Sequence, residues 1–259
     1  MTQVKFWPGA LLAVLAVGPT AALGEGLTLG TGVDYSSGDY GEAEKTEVWY
    51  VPVTGKYETG LWTFRLVVPL LRITGPGNVI GAGDGQVTIP GASTTVRTES
   101  GLGDIVGSAF YNLIDERDSA FGLDLGAKVK LGTGDSDKGL GTGENDYSVQ
   151  VDVFKPIGVI DAFGSLGYRM YGDPPGVELH NVVYGSVGGS YRMSSETSVG
   201  MAYDFRPSIT PTGSRVSEVT AFVSKRLSRE LKLQAYALTG FSDASPDFGI
   251  GVMVNYSYQ

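Results

Sequence analysis

The chain has 259 residues, 39 of them glycine and none cysteine, with a formal net charge of −9. Zero cysteine excludes a disulfide scaffold, thiolate metal sites and thiol chemistry. The acidic excess argues against a nucleic-acid binder, which presents a basic face, and the apolar and aromatic content excludes a disordered chain.

Residues 1–24 read as a secretory signal. Lys5 gives a positive start, residues 9–17 an apolar core, Gly18-Pro19 a helix breaker, and Ala22 and Gly24 small residues before a cut ahead of Glu25. The apolar run is too short for a membrane helix, which needs about 20 such residues. No later window offers one, since even the apolar run 66–71 is interrupted by Pro69. The expected arrangement is therefore a signal over 1–24 and one β-barrel over 25–259.

From residue 27 onward apolar and polar side chains alternate with period two, the pattern of strands with two unlike faces. Phe121, Leu123, Leu125, Ala127, Val129 and Leu131 share one face, with Gly122, Asp124, Gly126, Lys128 and Lys130 on the other. The alternation predicts twelve strands, at 27–36, 45–57, 61–74, 101–113, 120–133, 145–155, 161–172, 180–193, 197–208, 215–227, 230–241 and 247–258. The third is the least regular, because Pro69 cannot donate to a ladder. Connections alternate between short turns (58–60, 114–119, 156–160, 194–196, 228–229) and longer, glycine-rich loops (37–44, 75–100, 134–144, 172–179, 208–214, 242–246). An even number of strands, with short turns on one rim and long loops on the other, is the pattern of a bacterial outer-membrane barrel.

Three further features separate a membrane barrel from a soluble sandwich. Aromatics including Tyr35, Trp49, Tyr57, Trp62, Tyr111, Tyr168, Tyr191, Tyr203, Tyr256 and Tyr258 fall near strand ends, as interface girdles do. The non-apolar faces are rich in Gly, Ser and charge, too polar for a dry core. The final strand closes on Tyr256-Ser257-Tyr258, similar to the terminal signal read by the outer-membrane assembly machinery, with Gln259 trailing it. The expected fold class is all-β: a transmembrane up-and-down antiparallel barrel of about twelve strands.

If the apolar face meets lipid, charged in-strand residues must face the lumen, because charge against lipid is costly. The lumen-lining candidates are Arg65, Asp104, Asp124, Lys128, Lys130, Asp152, Arg169, Arg192, Asp204, Arg206, Glu218, Arg226 and Lys232, with Asp34 beside them. They fit both an internal salt-bridge network and a polar solute pathway. Gly126, Gly185, Gly188, Gly189 and Gly200 are expected to permit bends and leave lumen space. The longest connection, 75–100, has six glycines and two prolines. It is expected to cover the mouth, to fold inward as a constriction or, through the alternating stretch Gln86-Val87-Thr88-Ile89, to extend a hairpin beyond the membrane.

Other chemistries find little support. The glycine-rich stretch 132–143 precedes a strand, whereas a phosphate cradle needs a helix N-terminus. Asp135, Asp137, Glu144 and Asp146 could hold calcium, but not with EF-hand spacing. His180, the only histidine, has no evident serine–acid partners for hydrolysis. The expectation is no catalytic site, no metal and no cofactor.

Several stretches, in order, resemble one family: Trp49-Tyr50-Val51-Pro52, Leu66-Val67-Val68-Pro69, Ser100-Gly101-Leu102-Gly103-Asp104, Lys128 through Asp135, Leu140-Gly141-Thr142-Gly143 with Asp146, and Gly164 through Tyr168. Together they are similar to the transporter family of the meta-pathway of phenol degradation. Lys130-Leu131-Gly132-Thr133 departs from it, with Gly132 where a proline is more usual. The resemblance implies an outer-membrane barrel for small, aromatic or hydrophobic solutes and supplies no catalytic residues. The expected partners are outer-membrane lipid, a small-molecule solute and the assembly machinery, and no nucleic acid. The alternatives are a structural or surface-interaction barrel with an occluded lumen and, less favoured, a lipid hydrolase.

Overall fold

The computed structural model describes residues 25–89 and 95–258; the expected signal, 1–24, lies outside them. The strands are β1 (Gly26–Gly38), β2 (Thr46–Thr59), β3 (Trp62–Gly75), β4 (Val79–Ile80), β5 (Val87–Thr88), β6 (Arg97–Leu102), β7 (Ile105–Ile114), β8 (Gly122–Leu131), β9 (Asp146–Ile157), β10 (Ile160–Met170), β11 (Val182–Arg192), β12 (Thr197–Arg206), β13 (Val216–Arg226), β14 (Leu231–Gly240) and β15 (Phe248–Tyr258). Each barrel strand runs antiparallel to its chain neighbours. β15 returns to pair with β1, from Leu27 opposite Tyr258 to Ser37 opposite Phe248. Closure pairs the full-length wall strands on both sides, leaving only the short β6 paired on one side, to β3; a spanning sheet requires such closure, because hydrocarbon offers backbone groups no other partner.

The barrel has twelve strands, because β6 and β7 together make the fourth. The sequence places its start at 101, but pairing begins four residues earlier, at Arg97. The break between β6 and β7 faces Pro69. β3 pairs with β6 over Leu70–Gly75 and with β7 over Trp62–Val67, and Gly103 N donates to Pro69 O at 2.9 Å across the gap. The proline without a donor thus sits where the ladder is interrupted anyway.

The alternation resolves into an outside and an inside. Along β9, Ser148, Gln150, Asp152 and Phe154 are buried while Tyr147, Val149, Val151 and Val153 are exposed. Leu66, Leu125, Leu166, Val187 and Ile250 continue the exposed apolar belt. Aromatics cluster at both rims: Tyr35 against Trp49 at 4.9 Å near the loops, and Trp62 against Tyr111 at 5.0 Å and Tyr256 against Tyr258 at 4.8 Å near the turns.

The inward glycines do not leave open lumen space, contrary to the expectation for Gly126, Gly188 and Gly200. Each lies opposite an inward aromatic on the next strand: Phe110 opposite Gly126, Phe163 opposite Gly188, and Phe222 opposite Gly200. A Cβ on Gly126 would meet the Phe110 ring at 2.0 Å. Tyr184 over Gly167 and Tyr236 over Gly251 repeat the arrangement. The missing side chain lets the ring lie flat against the wall. Phe110, Phe154, Phe163 and Phe222 join Ala202 and Tyr236 in an apolar cluster inside the barrel.

Candidate functional site

The connection after β3 turns inward. Gly81 and Gly83, at φ +69° and +64°, allow the reversal that carries residues 76–89 into the barrel. β4 and β5 pair as a minimal hairpin there. Val79 packs into a buried cluster with Tyr40, Val48, Tyr50, Leu71, Ile73 and Leu140. Val87 is fully buried with Leu179, Val182 and Ile209. Of the three expectations for this segment, the inward fold is the one observed over its described residues.

Asp84, at the tip, is ion-paired with Arg169 on β10 and with Lys128 on β8 at 3.3 Å, and Arg169 also donates to its backbone carbonyl. Burial opposes the carboxylate charge, but Arg169 and Lys128 outweigh it and hold Asp84 well below the usual carboxylate range. Arg206 on β12 adds a third tether, donating to Gln86 O at 3.3 Å and to Tyr171 Oη at 2.9 Å. Sequence reasoning passed over Asp84. The available signal was that it is the only charged residue between Gly75 and Val96.

The other sequence candidates fall as follows. Asp124 accepts from Asn112 at 2.6 Å. Asp152, completely buried, accepts from Gln150, whose amide oxygen in turn accepts from Tyr184 Oη at 2.7 Å. Arg192 pairs with Asp161 at 3.0 Å near the turn rim. Asp204 stands directly opposite Glu218 in the β12–β13 register, and Arg226 opposite Lys232 in β13–β14. Arg65 lies opposite Lys56 and Ser108. Asp34 accepts from Tyr236 Oη across the barrel wall. Lys128, Arg169 and Arg206 are therefore brought together around the loop, while Arg192, Arg226 and Lys232 lie toward the other rim.

A sequence-family profile described as "Putative MetA-pathway of phenol degradation" matches residues 30–259. The chain belongs to this family. A comparison with curated proteins finds no match. Among solved structures, the chain is similar to the NanC porin, with a TM-score of 0.60 and 10% identity over 88% of this chain and 98% of that one. It is also similar to the KdgM porin, with a TM-score of 0.55 and 10% identity over 90% and 99%. At such identity the likeness concerns the fold, that of an outer-membrane β-barrel, and the apolar belt places this barrel in the outer membrane.

Three of the stretches that carry the resemblance to the MetA-pathway family, 100–104, 128–135 and 140–143 with Asp146, converge at the loop rim. Lys130 is buried between Asp104 at 3.2 Å and Asp146 at 3.1 Å, and donates to Thr142 Oγ1 at 2.6 Å. Asp104 also accepts from Gly134 N at 2.9 Å. A Cβ on Gly132 would strike the backbone of Gly143 at 2.4 Å, which accounts for glycine there. These motifs brace the 132–146 loop on the wall. That bracing also occupies two of the four acids considered for calcium. Asp146 is committed to Lys130, and Asp135 accepts from the backbone of Lys138 as a cap on the single turn Ser136–Lys138.

Proposed function

We propose that the protein is an outer-membrane channel for small solutes, aromatic ones among them, with residues 76–89 as its constriction. One observation carries the reading: a loop carboxylate, Asp84, is held by inward cations of a closed barrel whose outer surface is apolar. A purely structural barrel has no need of a tethered constriction whose contacts are polar and separable. The family description suits an aromatic solute. Insertion would use the assembly machinery that reads the aromatic end of β15. Lipid hydrolysis is disfavoured. His180 is exposed, Ser186 shares a hydrogen bond with Ser165 at 2.9 Å, and at about 3.3 Å per extended residue neither Ser186 nor Ser190 reaches His180.

Planar-bilayer conductance and liposome uptake test the proposal. Discrete conductance steps are expected, larger in a variant whose loop is released. No conductance and no uptake in either protein would establish the occluded structural barrel instead.

A further inference from the structure

Asp84 sits in a position suited to a free carboxylate. The two cations that hold it belong to the wall, Lys128 on β8 and Arg169 on β10, whereas the carboxylate arrives on a loop. Both cations are buried, with side chains 11% and 7% exposed. Both also lie against one aromatic ring: Lys128 Nζ is 5.9 Å and Arg169 Cζ 5.3 Å from the centre of Tyr184. Beside the ion pairs is a recess lined by Ser165, Tyr184, Ser186, Asp204 and Arg206.

Removing the partner of two buried cations is strongly unfavourable, so the loop cannot withdraw Asp84 unless another anion takes its place. A carboxylate can present both oxygens to a guanidinium, whereas a neutral hydroxyl offers one weaker acceptor. The recess as it stands, about 30 Å³, has room for water and not for a ring, so a ring attached to that carboxylate would lie against Tyr184 in the space the withdrawing loop leaves, in the tilted or offset contact aromatics favour.

We propose that Lys128 and Arg169 form the lumen's recognition site for an aromatic carboxylate, with Asp84 as its resident stand-in. An entering solute carboxylate exchanges with Asp84, keeps both cations paired and frees the loop. This inference rests on the channel reading above and adds to it the solute class and the site.

The stand-in competes at high local concentration, so removing its charge exposes the solute's intrinsic affinity. The test is calorimetric titration of the full-length refolded protein with benzoate, with neutral benzyl alcohol as the size-matched control. Asp84→Asn is expected to bind benzoate about tenfold or more tightly than the parent, with benzyl alcohol unchanged. Adding Lys128→Met to Asp84→Asn is expected to abolish the gain. Should Asp84→Asn not fold, the parent supplies a second test: benzoate, and not benzyl alcohol, is expected to open residues 76–89 to limited proteolysis, and protection that benzoate leaves unchanged overturns the inference. Potassium chloride conductance of the same preparations is read separately. If Asp84→Asn conducts but binds benzoate no more tightly, this inference fails and the channel reading stands. If benzoate tightens without any conductance, the channel reading fails and the site stands. Equal tightening of benzyl alcohol overturns the carboxylate assignment.

Discussion

The glycine–aromatic pairs inside the barrel make a quantitative prediction at Gly126. In Gly126→Ala the new Cβ would sit 2.0 and 2.2 Å from Phe110 Cε1 and Cδ1, so the ring must move. It is 2% exposed and packed in the cluster that contains Phe154, Phe163 and Phe222, so it has little room to do so. Overpacking of this kind costs about 1–3 kcal/mol, offset by about 0.4–1 kcal/mol because alanine restricts the unfolded chain. Phe110→Ala empties a buried site and should cost about 3–5 kcal/mol. Once the ring is gone, the alanine Cβ has space. The double variant should therefore cost no more than Phe110→Ala alone, a coupling of about 1–3 kcal/mol between the two positions. The assay is a double-mutant cycle of urea unfolding in lipid vesicles, followed by tryptophan fluorescence with heat-modifiable gel mobility as a check of folding. Additivity within about 0.5 kcal/mol would refute the claim that Gly126 is glycine in order to seat Phe110.

Leu125, on the lipid side of the same strand, should respond differently. Leu125→Arg is expected to destabilise the barrel by about 2–4 kcal/mol in vesicles, and an effect below about 0.5 kcal/mol in the same unfolding assay would contradict the outward assignment. Lys130→Met leaves Asp104 and Asp146 buried beside each other without their cation and should cost about 3–5 kcal/mol. The 132–146 loop should also become open to limited proteolysis, and an unchanged cleavage pattern would argue against its bracing role. Asp84 is shifted below its ordinary value of 3.8, so its ion pairs contribute fully above that value and are lost only as the pH falls through the lower, folded one. The conductance ratio of Asp84→Asn to parent should accordingly stay constant from about pH 8 to about pH 5, and a ratio collapsing toward one near neutral pH would refute the tether.

Most of the wall was legible because its pattern is local. Period-two alternation sorts Leu125 from Lys128, or Val149 from Gln150, without knowledge of any neighbour, and lipid allows one assignment of the two faces. Loop lengths then set the order of strands and the side on which the chain ends. The break at Gly103-Asp104 was less legible, although Pro69 signalled irregularity in that pair, because where pairing resumes depends on the register of β3.

The candidate site was only partly readable. Lys128, Arg169 and Arg206 could be assigned to the inner face from alternation alone. Which loop residue they meet depends on a reversal at Gly81 and Gly83 and on apolar pockets for Val79 and Val87, whose walls come from β2, β3, β11 and several loops. No local pattern encodes those contacts.

The sequence by itself determined a barrel with an apolar exterior, a charged interior and aromatic rims, because each is a periodicity imposed by the bilayer on a single strand. Tertiary structure alone decided that inward glycines seat aromatic rings, that the family-like stretches 100–104, 128–135 and 140–146 brace one rim, and that Asp84 rests between Lys128 and Arg169. The physical reason is the same in all three cases: a cross-strand or loop-to-wall contact depends on register and closure, which join residues as far apart as Asp84 and Arg169 only after the barrel has formed.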